Sequence, residues 1–165
     1  RLCYPNRVNS TLPWRSAGLL IWITAASAAE PLFVATPLTS GGFTQGIEGP
    51  ACDRAGNIYC VSFEDIRNIA RVTPDGRAER FLTLPEGSAG NGIRFNPAGI
   101  LFIADYTGHN VLRVDPTTRA ISVLVHDDRM NQPNDLAIAS DGTLYASDPH
   151  WKNGTGQLWR ITVDG

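Results

Sequence analysis

Three polar residues, Glu48, Asn91 and Asn134, stand 43 residues apart, and each opens a short apolar run. Together they offer one carboxylate and two amide oxygens. Hard oxygen donors of this kind suit Ca2+ or another hard divalent cation and do not suit a soft, thiolate-type site. Glu48 would supply the charge and the two asparagines neutral oxygens. Any one of them alone reads as a turn cap or a partner of nearby backbone. Three in one register point to a shared site. Asp148 and His150 lie on a loop that could reach the same place, and they are candidate substrate contacts. An idle surface histidine and a plain Asp-Pro turn are the structural alternatives. Asp105 holds the equivalent place one unit earlier, which favours those alternatives. Asp135, beside Asn134, reads as a satisfied outer partner of the site. His109 and His126 fall at a loop and an outer-strand end, and neither is expected to be catalytic. The sequence has no Gly-x-Ser-x-Gly elbow, so a serine nucleophile lacks support.

Residues on a fixed period need a repeated frame to bring them together. Eight residues after each register position comes a turn glycine, Gly56, Gly99 and Gly142. Around these glycines the sequence predicts hairpins of short β-branched and aromatic runs. The first strands are read at 49–53, 92–96 and 135–140, and the second at 57–61, 100–104 and 143–147. Third strands carry Arg71, Arg113 and Arg160 in register, and fourth strands are read at 78–84 and 120–126. Four strands per unit of about 43 residues are the mark of a β-propeller blade. The expected fold is all-β, a propeller of the six-bladed type of which about three blades are present. They begin near residues 47, 90 and 133 of a propeller segment spanning 47–165. The third unit stops before a fourth strand, so the chain is expected to be part of a longer one. Trp-Asp and Gly-His blade signatures are missing.

Residues 1–29 contain Arg1, Arg7 and Arg15 and no acidic residue, then an apolar stretch and small residues before Glu30. That is the signature of a secretory signal, so export to a periplasm or the exterior is expected. A hydrophobic N-terminal helix or an uncleaved anchor are the alternatives. Residues 30–46 form a Pro/Thr/Gly-rich lead-in. The net charge of −2, without a basic cluster, argues against a nucleic-acid partner. No stretch is long enough to span a bilayer, and no stable membrane partner is expected. Cys52 and Cys60 flank Gly56 on one hairpin and read as two small buried thiols, although an exported protein could oxidise them. Asn153-Gly-Thr155 fits the N-glycosylation triplet.

Glu48-Gly-Pro50, Asn91-Gly-Ile93, Pro133-Asn-Asp-Leu136 and Tyr145-Ala-Ser-Asp-Pro149 resemble the openings and a strand end of the gluconolactonase, regucalcin and luciferin-regenerating enzyme family. The resemblance covers residues 43–165. It implies a six-bladed propeller, monomeric when full length, with one divalent ion at its axis, hydrolysing small lactones or related esters. Glu48 matches the family's metal glutamate. Asn134 matches an asparagine that binds metal or substrate in different members, and Asn91 a pocket position of variable role. The family's proton-transfer aspartate would lie beyond Gly165, so no catalytic base is assigned within the chain. The rival readings are a non-catalytic propeller that binds a peptide or sugar, and an inactive fragment.

Overall fold

A computed structural model of the chain describes residues 33–162. The expected signal sequence at 1–29, with Cys3, lies outside the described residues. The chain divides into two units between Ala35 and Thr36. Of the first, only residues 33–35 are described, and they have no regular secondary structure.

The second unit is all-β. Its first sheet holds β1 (Ala51–Cys52), β2 (Ile58–Cys60), β3 (Asn68–Val72) and β4 (Ala78–Thr83). The second holds β5 (Gly90–Phe95), β6 (Leu101–Asp105), β7 (Asn110–Val114) and β8 (Ile121–His126). The third holds β9 (Leu136–Ile138), β10 (Leu144–Asp148) and β11 (Gln157–Ile161). Each sheet is an antiparallel meander in chain order, and the described residues contain no helix. The first and second sheets carry a register shift at matching places, between Ile69 and Ala70 and between Val111 and Leu112.

The hairpin turns follow from local chemistry. Gly56, Gly99 and Gly142 have φ of 83°, 84° and 89°, a region glycine enters without a steric penalty. In the first turn Asp53 Oδ1 accepts the N–H groups of Ala55 and Asn57, both at 2.9 Å. In the second, Asn96 Oδ1 accepts those of Ala98 and Ile100 at 3.0 and 2.9 Å. β1 and β9 are shorter than the sequence suggests, whereas β5 begins two residues earlier than expected. At β1, Pro50, which has no N–H, and the Asp53 turn take the chain out of the ladder.

β6 is buried along its whole length. Alternation splits its residues between two cores. Leu101 and Ile103 pack with Ile69 and Phe81 of the first sheet and with Leu84 just after it. Phe102 and Ala104 pack with Leu136, Leu144 and Ile161 of the third. Burying each such aliphatic side chain is worth roughly 1.5–3 kcal/mol. The lead-in is partly tied down. Phe43 bridges to Phe63, and their rings meet edge to face with centroids 5.3 Å apart.

The cysteines depart from expectation. The register sets Cys52 opposite Ile58, leaving it exposed, while Cys60 pairs with Ala70 and is buried. Both are free thiols, but only Cys60 is a buried one.

Candidate functional site

β1 packs beside β5, and β5 beside β9, so the first strands of the three sheets form one wall. Glu48 and Asn134 precede β1 and β9, and Asn91 lies at the start of β5. All three line the same two cavities, of about 240 Å3 and 390 Å3. The structure therefore brings the register residues together.

Backbone geometry at each position enforces this. β5 pairs Gly90 with Asp105 and Ile93 with Ile103, so Asn91 and Gly92 share a bulge opposite Ala104. A bulge re-aims a side chain without ending the strand. Neighbouring openings then touch through glycine. A Cβ on Gly49, whose φ is 60°, would lie 2.0 Å from the Asn91 carbonyl oxygen. Gly92 donates its N–H to the Asn134 carbonyl at 2.6 Å.

The surrounding carboxylates are already committed. Arg94 Nη2 lies 2.9 and 3.0 Å from the two carboxylate oxygens of Asp135. This pair is substantially exposed and worth at most about 1 kcal/mol. Asp148 is buried and accepts four hydrogen bonds, from the backbone of Asn131 and Gln132 and from the side chains of Gln157 and Trp159. Burial opposes its charge, but those bonds outweigh it and hold its carboxyl below the usual carboxylate range. All four bonds run to the protein itself, and the residue lines a third cavity, of about 460 Å3, with Asn134 and Trp151. His150, at a φ of 44°, bonds Thr155 Oγ1 through Nδ1 at 3.2 Å and lines neither cavity. His126 bonds Asn110 and Asp128, and His109 the carbonyl of Met130.

By contrast, the side-chain oxygens of Glu48, Asn91 and Asn134 have no hydrogen-bond partner among the described residues. One charged and two neutral hard oxygens fit a divalent cation such as Ca2+. Among the described residues no three His, Cys, Asp or Glu side chains gather into a metal-binding group, so the two amides are essential to any such fit.

Sequence reasoning missed the apolar side of the larger cavity, formed by Ile66, Tyr106 and Trp151. Gln132 holds two of these in place, donating to the Tyr106 hydroxyl at 2.7 Å and accepting the Trp151 N–H at 3.2 Å. These residues sit in loops of unequal length, off the 43-residue period. At the opposite ends of the same strands lies a hollow of about 850 Å3. Its two acceptor side chains at the turns, Asp53 and Asn96, are occupied by their own backbone N–H groups.

Residues 46–165 match the model of the SMP-30/Gluconolactonase/LRE-like region. Over 134 residues the chain is 32% identical to a gluconolactonase of Zymomonas mobilis, which covers 72% of this chain and 37% of that protein. Among solved structures, a gluconolactonase from Xanthomonas campestris superposes with a TM-score of 0.64 at 20% identity, covering 75% of this chain and 46% of that one. A calcium-binding regucalcin from Agrobacterium tumefaciens gives 0.55 at 18% identity, covering 70% and 45%. The chain thus spans less than half the length of these relatives. A match over that many residues, with the register positions inside it, makes the chain a member of the SMP-30/gluconolactonase/LRE-like family.

Proposed function

We propose that the intact protein is a divalent-metal-dependent lactone hydrolase, closed as a six-bladed propeller, and that Glu48, Asn91 and Asn134 hold its cation. The observation that carries this reading is the contrast at the site. Three uncommitted oxygens share one wall while the neighbouring carboxylates are all engaged. Family membership supplies the substrate class, a small lactone or related ester.

Bound there, a divalent cation supplies the positive charge that a lactone carbonyl oxygen needs as it becomes an oxyanion. Glu48 brings the only formal charge among the three ligands. Asn91 and Asn134 bring neutral dipoles from a backbone held by the contacts at Gly49 and Gly92. Tyr106, Trp151 and Ile66 give the cavity an apolar side against which a ring can lie. Asp135 is paired with Arg94 and Asp148 is engaged by four donors, so neither is assigned as the base. We therefore place the general base in a part of the protein outside these residues.

The test is Glu48→Gln in the intact protein. Calorimetry should show one Ca2+ site in the wild type and none in the variant, and lactone hydrolysis should be abolished. Unchanged hydrolysis would refute the assignment. A folded wild type that binds neither Ca2+ nor another divalent cation and hydrolyses no lactone would favour the binding-module reading instead.

A further inference from the structure

Asp105 and Asp148 are 43 residues apart, the same period as Asn91 and Asn134. They close β6 and β10, with exposures of 0% and 1%. A carboxylate so deeply buried is tolerated only when its acceptor sites are filled.

The fillings match. Asp105 accepts the Ala89 N–H at 3.1 Å, Ser88 Oγ at 2.8 Å, the Gly108 N–H at 3.1 Å and Asn110 Nδ2 at 2.9 Å. Asp148 accepts the N–H groups of Asn131 and Gln132 at 2.8 and 3.0 Å, and Gln157 Nε2 and Trp159 Nε1 at 3.1 Å each. In both sheets the carboxylate takes the backbone N–H two residues before the site asparagine. In both it also takes a carboxamide from the first residue of the next strand, Asn110 of β7 or Gln157 of β11. Donors converge on both oxygens in each case, which a carboxyl group can accept and a carboxamide, with one oxygen and one NH2, cannot.

We infer that Asp105 and Asp148 are positioning residues that fix the approach segments of Asn91 and Asn134, and so preset the two amide oxygens of the site. The inference rests on the reading of those asparagines as ligands. One unit earlier the same position is Ser62, buried and at a φ of 64°, where only its backbone carbonyl ties the lead-in, accepting Thr44 N–H at 2.8 Å. The segment before Glu48 therefore has no carboxylate tie. The device presets the two neutral ligands and leaves the charged one to adjust around them.

The experiment compares wild type and Asp148→Asn in the intact protein by site-resolved hydrogen exchange and Ca2+ calorimetry. The asparagine keeps the volume but turns donors toward donors. Exchange at residues 131–134 should quicken, and Ca2+ affinity should fall by about tenfold or more. Asp105→Asn should loosen 88–91 and leave 131–134 unchanged. Faster exchange with unaltered Ca2+ affinity makes the aspartate merely structural and overturns the inference, as does unaltered exchange. Should Asp148→Asn not fold, Trp159→Phe removes a single donor and must show both changes in smaller degree, and no change overturns the inference. A wild type silent toward Ca2+, Mg2+, Mn2+ and Zn2+ alike refutes the site reading itself, and the inference with it, whatever the exchange shows.

Discussion

Replacing Gly92 by alanine tests whether close contact between sheets sets the site. Gly92 does not have a positive φ, so the substitution adds a methyl group without backbone strain. That methyl carbon would lie 2.6 Å from Asp135 Cα, 2.7 Å from its Oδ1 and 2.8 Å from the Asn134 carbonyl oxygen. Ordinary contact begins near 3.4 Å, so the third sheet's opening must retreat by about 0.8 Å. Overpacking of this kind costs about 1–3 kcal/mol. The Gly92 to Asn134 hydrogen bond stretches by a similar distance, which removes about another 1 kcal/mol. The reduced freedom of the unfolded chain returns about 0.4–1 kcal/mol. The net expectation is a loss of about 2 kcal/mol, read as a lower urea midpoint. The separation of Asn91 from Asn134 grows by the same step, and misplacing a positioned group by about 1 Å can cost roughly 100-fold in rate. Gly99→Ala is the control. Its φ of +84° costs roughly 1–2 kcal/mol in strain, but nothing lies within 4 Å of the added carbon, and the site should be untouched. If the two variants lose equal stability and keep equal Ca2+ affinity and turnover, the argument from contact fails.

Acid should destabilise the fold in a defined window. In Asp53 burial raises the carboxyl pKa, but the hydrogen bonds from Asn57, Ala55 and Tyr59 outweigh it, so the net shift is downward, as at Asp148. Asp127, bonded to Arg129, is lowered to about 2. Folded values below the unfolded one of about 3.9 mean that this stability is present above that pH and lost as pH falls through the folded values. The urea midpoint should be level between about pH 5 and 7 and decline below about pH 4, and a rise there would contradict the assignment. Thiol chemistry should separate the two cysteines of the first hairpin. Burial pushes the Cys60 thiol up, with a smaller contribution from Cys52, whereas Cys52 is exposed. Peptide mapping after brief iodoacetamide treatment of the native protein should find Cys52 alkylated and Cys60 protected.

The frame was legible because it repeats. Glycine turns and β-branched runs recur at one interval, and the strand positions follow within a residue or two. The convergence of Glu48, Asn91 and Asn134 followed from the same interval. The role of Asp148 did not, because a burial and four inward donors depend on strand ends folding back on a segment far away in sequence. Tyr106 and Trp151 were hidden for a related reason, since loops of different length carry no common register. Cys52 was misjudged because its burial depends on the face it takes opposite Ile58 and on what covers the end of β1, which the hairpin spacing does not give.

The hydrogen bond from Gly92 to Asn134 also bears on chemical ageing. Asn91-Gly92 is a dipeptide in which the glycine nitrogen can attack the asparagine side-chain carbonyl, expelling ammonia through a cyclic imide. In the folded chain that nitrogen's proton is committed to the Asn134 carbonyl, and Gly92 is buried against the next sheet. The attack needs freedom this peptide does not have. Once the sheets part, the constraint is gone, and hydrolysis of the imide leaves aspartate or isoaspartate where a neutral amide stood. Time spent unfolded would thus leave a covalent scar at the place where the second and third sheets meet.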